Sequence, residues 1–136
     1  MSETSLKLVP PDSVLIVVRG MILVHSVPVA ITQVPVTINQ DMKALRPASC
    51  INATYLQWVL KVNHAKLLGA VSTAAHGTKK LDTNALMAMP VPVPPPQLQQ
   101  QFSARLLAVR SIVSQQREAS ARAKSTFDAQ LARAFG

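Results

Sequence analysis

The chain has 136 residues, one domain's worth, with 49% apolar and 15% charged residues, so it can bury a core. Fourteen Lys and Arg against six Asp and Glu leave a formal charge of +8, which directs attention to an anionic partner. The single Cys50 excludes an internal disulfide framework, the N-terminus MSETSLKLVPP lacks a signal pattern, and the longest apolar run, Val14 to Val18, falls far short of the roughly 20 residues that cross a bilayer; together they predict a soluble, cytoplasmic protein with no membrane partner.

Asp12-Ser13 precedes Val14-Leu15-Ile16-Val17-Val18, a β-branched run of strand length stopped by Arg19-Gly20. Met21 to Val24 reads as a second strand, with Gly20 as a bulge or tight bend between the two. Pro28 confines Val27 to Ile31 to an edge or strand start, and Pro35 interrupts the candidate Val34 to Ile38. Met42 to Leu45, ending before Pro47, is placed to close the same sheet. These close-set strands predict a small, irregular barrel or bent sheet.

Helical spacing follows. Asn52 or Thr54 caps a helix carrying Tyr55, Leu56, Val59 and Leu60, then Leu67 and Leu68, with Gly69 as its stop. Val71 to Leu81 reads as a polar loop centred on His76-Gly77-Thr78-Lys79-Lys80, and Asp82 or Thr83 offers a cap for a short turn through Leu86 and Met87. PVPVPPP, residues 90–96, removes N–H donors and fixes φ, so it is a stiff extended strap and a boundary. The chain therefore divides into a β-rich domain, residues 1–96, and one helix, residues 97–136, about 60 Å long if continuous. The fold class is α+β. Phe102, Leu106, Val109, Val113 and Phe127 fall on one heptad-like stripe of that helix, which needs a partner helix to cover it.

The loop His76-Gly77-Thr78-Lys79-Lys80 combines cations, a hydroxyl and a glycine, the parts of a phosphate-contacting loop, although basic solvated loops are common. Arg19, at a strand end, reaches either a groove or an acid such as Asp12 or Asp41. Asn39-Gln40-Asp41 offers amides suited to adenine edges, or a turn held by Asx hydrogen bonds. Nothing points to catalysis. His25, His64 and His76 have no metal-site spacing, GTKK lacks the glycines of a nucleotide loop, and the acids form no paired set. No cofactor or metal is expected.

The run VLIVVRGMILVHSVPVAITQVPVTINQDMKALRP, then HGTKKLDTNALMAMPVPVPPPQLQQQF and a long helix, resembles the DNA specificity subunit of type I restriction-modification systems. The resemblance spans roughly residues 12–136 and rests on Arg19-Gly20, Asn39-Gln40-Asp41, the Gly77 to Leu81 loop, and Pro94-Pro95 followed by Leu98, Gln99 and Phe102. It implies part of a target-recognition domain followed by a helical spacer that pairs with another such helix and seats a methyltransferase subunit. Complete members carry two such domains, so the expectation is a half subunit lacking the front of its domain, with Gln97 and Gln101 where the family's strap-to-helix motif often has an acid. The partners implied are double-stranded DNA, the modification subunit and a second copy joined antiparallel through the helix. Arg19, Lys79 and Lys80 would contact phosphates, with His76 and Thr78 near the groove. The rival reading is an oligomerising interaction protein that binds a methyltransferase subunit without reading DNA.

Overall fold

The computed structural model describes residues 7–135. Seven short strands and four helices make an α+β architecture. Strand β2 (Val14–Val17) is the centre of an antiparallel sheet, flanked by β3 (Val29–Ile31) and β5 (Met42–Leu45). Val14 lies opposite Ile31 and Leu45, and Ile16 opposite Val29 and Lys43. The two-residue period of a strand then sends Val14 and Ile16 into the core and Leu15 and Val17 to the other face, and Val18, just beyond the strand, is buried as well. Strands β1 (Lys7–Val9) and β4 (Val36–Ile38) pair separately as an antiparallel ribbon. Pro28 and Pro35 stand just before β3 and β4, where a missing N–H costs the ladder least.

The turn into β2 is locked by a small polar knot. Asp12 has φ 59°, and Ser13 and Thr32 are both buried. The Thr32 hydroxyl accepts from the Ser13 N–H (3.0 Å) and donates to the Pro10 carbonyl (2.9 Å), which also accepts from the Ser13 hydroxyl (2.9 Å).

Met21–Val24, expected as a strand, is a 3-10 turn. The cause is Gly20, whose φ of 135° and ψ of 164° lie in a region open essentially to glycine and swing the chain out of the sheet. Only Leu23 of the four then turns inward, leaving Met21, Ile22 and Val24 exposed. Gly20 is thus the tight bend read from the sequence.

Helix α1 (Ala53–Val62) is capped by Asn52, whose Oδ1 accepts from the N–H groups of Thr54 (2.8 Å) and Tyr55 (3.4 Å). The helix expected to run on to Gly69 breaks at Asn63, and α2 (His64–Gly69) continues from there. Asn63 leaves helical geometry (φ −90°, ψ 19°), and its side-chain amide donates to the Val59 carbonyl (2.8 Å) alongside its own backbone N–H (3.1 Å). Leu56, Leu60 and Leu67 pack into the core cluster with Val14 and Ile16, so α1 and α2 cover one face of the sheet.

Val71–Leu81 is a hairpin, not a loop. Strand β6 (Val71–Thr73) pairs with β7 (Lys79–Leu81) across a tip in which His76 (φ 66°) and Gly77 (φ 81°) take left-handed conformations. Polar residues filled both strands, which concealed the alternation, yet Leu81 is fully buried. Helix α3 (Thr83–Ala88) is capped by Asp82, whose Oδ1 accepts from Asn84 N–H (2.9 Å). The proline strap follows, held by the Tyr55 hydroxyl donating to the Pro92 carbonyl (2.8 Å).

Helix α4 (Pro96–Phe135) begins on a proline, which lacks the N–H that a first turn leaves unpaired anyway. The chain forms two compact units that divide between Gln99 and Gln100. The first unit keeps the opening of α4. There Gln99, 2% exposed, accepts from the Asn52 N–H (2.7 Å) and donates to the carbonyls of Cys50 (2.8 Å) and Pro94 (2.9 Å). The second unit is the remainder of the helix, with an Arg122–Glu118 ion pair one turn apart (3.6 Å). No helix among the described residues is long and apolar enough to cross a membrane.

Candidate nucleic-acid interface

Arg19 stands just beyond the end of β2, after a bulge in which the Val18 and Arg19 N–H groups both donate to the Asp41 carbonyl (2.8 and 3.2 Å). Val18 is buried and Arg19 is exposed. Its neighbour comes from far along the chain: Arg19 forms an antiparallel bridge with Lys80 of β7. The Gly20 N–H donates to the Lys79 carbonyl (3.0 Å) and the Leu81 N–H to the Val18 carbonyl (2.8 Å), so the bonds flank the Arg19–Lys80 pair. Such a pair brings its side chains closest, with Cβ atoms about 4.5–5.5 Å apart. On the other side of β7, Ser72 stands opposite Lys80. Ser72, Lys80 and Arg19 therefore form one row across three adjacent backbones, about 10 Å from end to end at ordinary strand spacing. All three are exposed.

Two cations opposite each other in a sheet repel. Among the described residues no carboxylate forms an ion pair with either one, and Arg19 meets Asp41 only through backbone, its N–H donating to the Asp41 carbonyl (3.2 Å). The row thus offers a guanidinium, an ammonium and a hydroxyl, all able to donate to phosphodiester oxygens.

The other residues of the basic segment are dispersed. Lys79 shares the face of Leu81, and its Nζ donates to the Thr73 hydroxyl (2.7 Å), so Lys79 and Lys80 point to opposite sides of β7. Thr78 is half-buried on the Lys80 side, and its carbonyl accepts from Ala74 N–H (2.7 Å). His76 is exposed at the hairpin tip. In Asn39-Gln40-Asp41 the Asn39 Oδ1 accepts from the Asp41 N–H (3.0 Å), the Asx turn. Exposed Met21 and Ile22 adjoin the Arg19 end of the row.

Along α4, Val109 (55% exposed), Val113 (39%) and Phe127 (59%) lie open, Leu106 is partly covered, and Phe102 is 38% exposed. Leu107, Ile112 and Leu131 add apolar surface outside the predicted stripe. One residue of consequence, Ser72, was not singled out from sequence. Ser72 is found only through strand register, and Gln99, part of the motif that carries the resemblance, shows its anchoring role only through its burial.

The chain is 35% identical over 92 residues to the specificity subunit of the type I restriction enzyme EcoR124I/EcoR124II of Escherichia coli, an alignment covering 68% of this chain and 23% of that protein. The family described as type I restriction modification DNA specificity domain matches residues 2–120, most of the sequence. The expected resemblance is thereby established: the chain belongs to the type I restriction-modification DNA specificity domain family.

Proposed function

We propose that the chain is a non-catalytic, DNA-contacting specificity module of a type I restriction-modification system that pairs with a second copy through α4. The observation that carries the reading is the Arg19–Lys80 bridge, two outward cations side by side with no acid paired to them among the described residues. A phosphodiester backbone relieves that repulsion and supplies the missing anion. Arg19 and Lys80 hold phosphates, Ser72 donates beside them, and His76 and Thr78 flank the groove from the hairpin. Lys79, tied to Thr73 on the other side, contributes less.

The exposed apolar residues of α4 support pairing with a second copy, antiparallel across a two-fold axis, as a platform for the modification subunit. The wild-type chain should bind duplex DNA with an affinity that falls steeply with salt. Arg19→Ala combined with Lys80→Ala should take about 1.8 off the slope of log affinity against log salt, at about 0.9 for each phosphate contact. Light scattering should give a dimer that Leu106→Asp, Val109→Asp and Val113→Asp together dissociate. An α4-dependent dimer with no salt-sensitive affinity for duplex DNA would instead be an interaction module that binds a methyltransferase subunit without touching DNA.

A further inference from the structure

An open cavity of about 380 Å³ in the first unit lies between two strands that are not paired with each other. Lys7, Leu8 and Val9 of β1 line it on one side and Met42, Lys43 and Ala44 of β5 on the other. Consecutive strand residues point to alternate faces, so three in a row from each strand place the cavity beside the backbones rather than on one face of the sheet. Among the described residues β1 pairs only with β4 and β5 only with β2, which leaves each strand one free edge.

The hydrogen-bond phase of the sheet defines what β5 offers at that edge. The Thr32 N–H donates to the Ser13 carbonyl (2.9 Å) and the Val17 N–H to the Pro28 carbonyl (3.2 Å), so the odd-numbered residues of β2 bond toward β3. Val14 and Ile16 therefore bond toward β5, where they stand opposite Leu45 and Lys43. Met42 and Ala44 alternate with those two and turn their N–H and C=O groups away from β2, to the free edge. The Met42 N–H is taken by the Asn39 carbonyl (3.3 Å), whereas the Ala44 N–H and the Ala44 and Met42 carbonyls have no partner among the described residues. They are half of a ladder that an added strand completes.

Charge and hydropathy select the strand. Lys7, Lys43 and Arg46 line the cavity, no carboxylate does, and none of the three is in an ion pair among the described residues. An added strand presents side chains to both faces, so cations on either face reach it. A second copy of this edge brings the same cations and is repelled, while acidic side chains are attracted. Leu8, 65% exposed, and Ile38 give apolar contact to the residues between the acids.

We infer that the gap between β1 and β5 is a strand-addition site for an extended, acidic segment of a partner protein, held by main-chain bonds to Ala44 and Met42. The lengths of β1 and β5, three and four residues, set the length of the segment. The ligand is a polypeptide, and the site is separate from the Arg19–Lys80 bridge.

The test is fluorescence anisotropy of a labelled peptide, Thr-Glu-Val-Thr-Glu-Val blocked at both ends, titrated with the full chain, while NMR follows amide exchange at Ala44. Two further peptides carry Lys in place of Glu, or the Glu sequence with every second amide N-methylated. The protein variants are Lys43→Ala/Arg46→Ala and, as a control of equal charge on α1 and α2, Lys61→Ala/Lys66→Ala, each with its fold verified by melting temperature. The Glu peptide should bind and slow exchange at Ala44 by at least about tenfold, with the Lys and N-methylated peptides each weaker by about tenfold or more. Lys43→Ala/Arg46→Ala should weaken the Glu peptide by about 5-fold and flatten its salt dependence, and Lys61→Ala/Lys66→Ala should leave both unchanged. An Ala44 amide already protected in the free chain overturns the proposal, as does equal binding of the Glu and Lys peptides or of the parent and N-methylated peptides. Equal loss in the Lys61→Ala/Lys66→Ala control, or no binding of the Glu peptide at about 1 mM, overturns it too.

Discussion

Replacing Gln99 by Leu tests how the strap and helix opening are joined to the globular unit. The amide makes three hydrogen bonds in a position 2% exposed: one accepted from the Asn52 N–H and two donated to the Cys50 and Pro94 carbonyls. Leu fills a similar volume but answers none of these groups. At a net 0.5–1.5 kcal/mol per bond the loss is about 1.5–4.5 kcal/mol, and the orphaned Asn52 N–H moves the value toward the upper half, about 3 kcal/mol. For a unit of this size that is a fall of about 12 °C or more in Tm. Urea and thermal unfolding are followed by the fluorescence of Trp58, which lies in α1 of the first unit and so reports on that unit rather than on the free length of α4. The neighbouring Gln100→Leu, at an exposed position, should change Tm by less than about 2 °C. A Gln99→Leu protein that melts with the wild type would refute the idea that these bonds hold the strap in place.

Gly20→Ala should cost about 1–3 kcal/mol by urea unfolding, from backbone strain at φ 135° alone, since nothing lies within 4 Å of the added methyl group. Thr32→Val should cost about 2–3 kcal/mol in the same assay, because it strands the buried Ser13 N–H and removes a donor to Pro10. Leu60→Ala, at a side chain buried between α1 and the sheet, should cost about 2–5 kcal/mol by calorimetry. Lys80→Thr should keep or slightly raise the unfolding free energy, by about a few tenths of a kcal/mol, while weakening duplex affinity in a gel-shift at low salt.

Local chemistry made much of the fold legible. The β-branched Val14–Val17 run, the caps at Asn52 and Asp82, the proline strap and the long helix each follow from a few adjacent residues whose preferences agree with the final structure. Three elements were misread for physical reasons. Met21–Val24 has the hydropathy of a strand, and only the φ of Gly20 decides against it. Asn63 looks like any polar helix residue until its amide turns back on Val59. Ser72, Thr73, Lys79 and Lys80 lack an apolar alternation because β6 is an edge and one face of the hairpin is solvated. The candidate site was legible residue by residue but not as a constellation. Arg19 and Lys80 each stood out as cations, yet nothing local joins positions so far apart in the chain, and their adjacency is a product of β7 docking on the end of β2. Gln99 belongs to the motif that carried the resemblance, yet its anchoring role was hidden, since only tertiary burial separates it from Gln97, Gln100 and Gln101.

The core and the exposed bridge answer different demands. One face carries Val14, Ile16, Val18 and Leu81 against the leucines of α1 and α2, and every choice there agrees with burial. The exposed bridge beyond β2 sets Arg19 against Lys80, an arrangement that an opposed Thr or Val would better. Local stability disfavours that choice, and the DNA contact proposed for the pair would account for it. The Lys80→Thr variant separates the two demands directly. Greater stability with weaker DNA affinity would show that the cation pair is kept for binding, whereas a loss of stability would mean that Lys80 supports the sheet and that the repulsion argument fails.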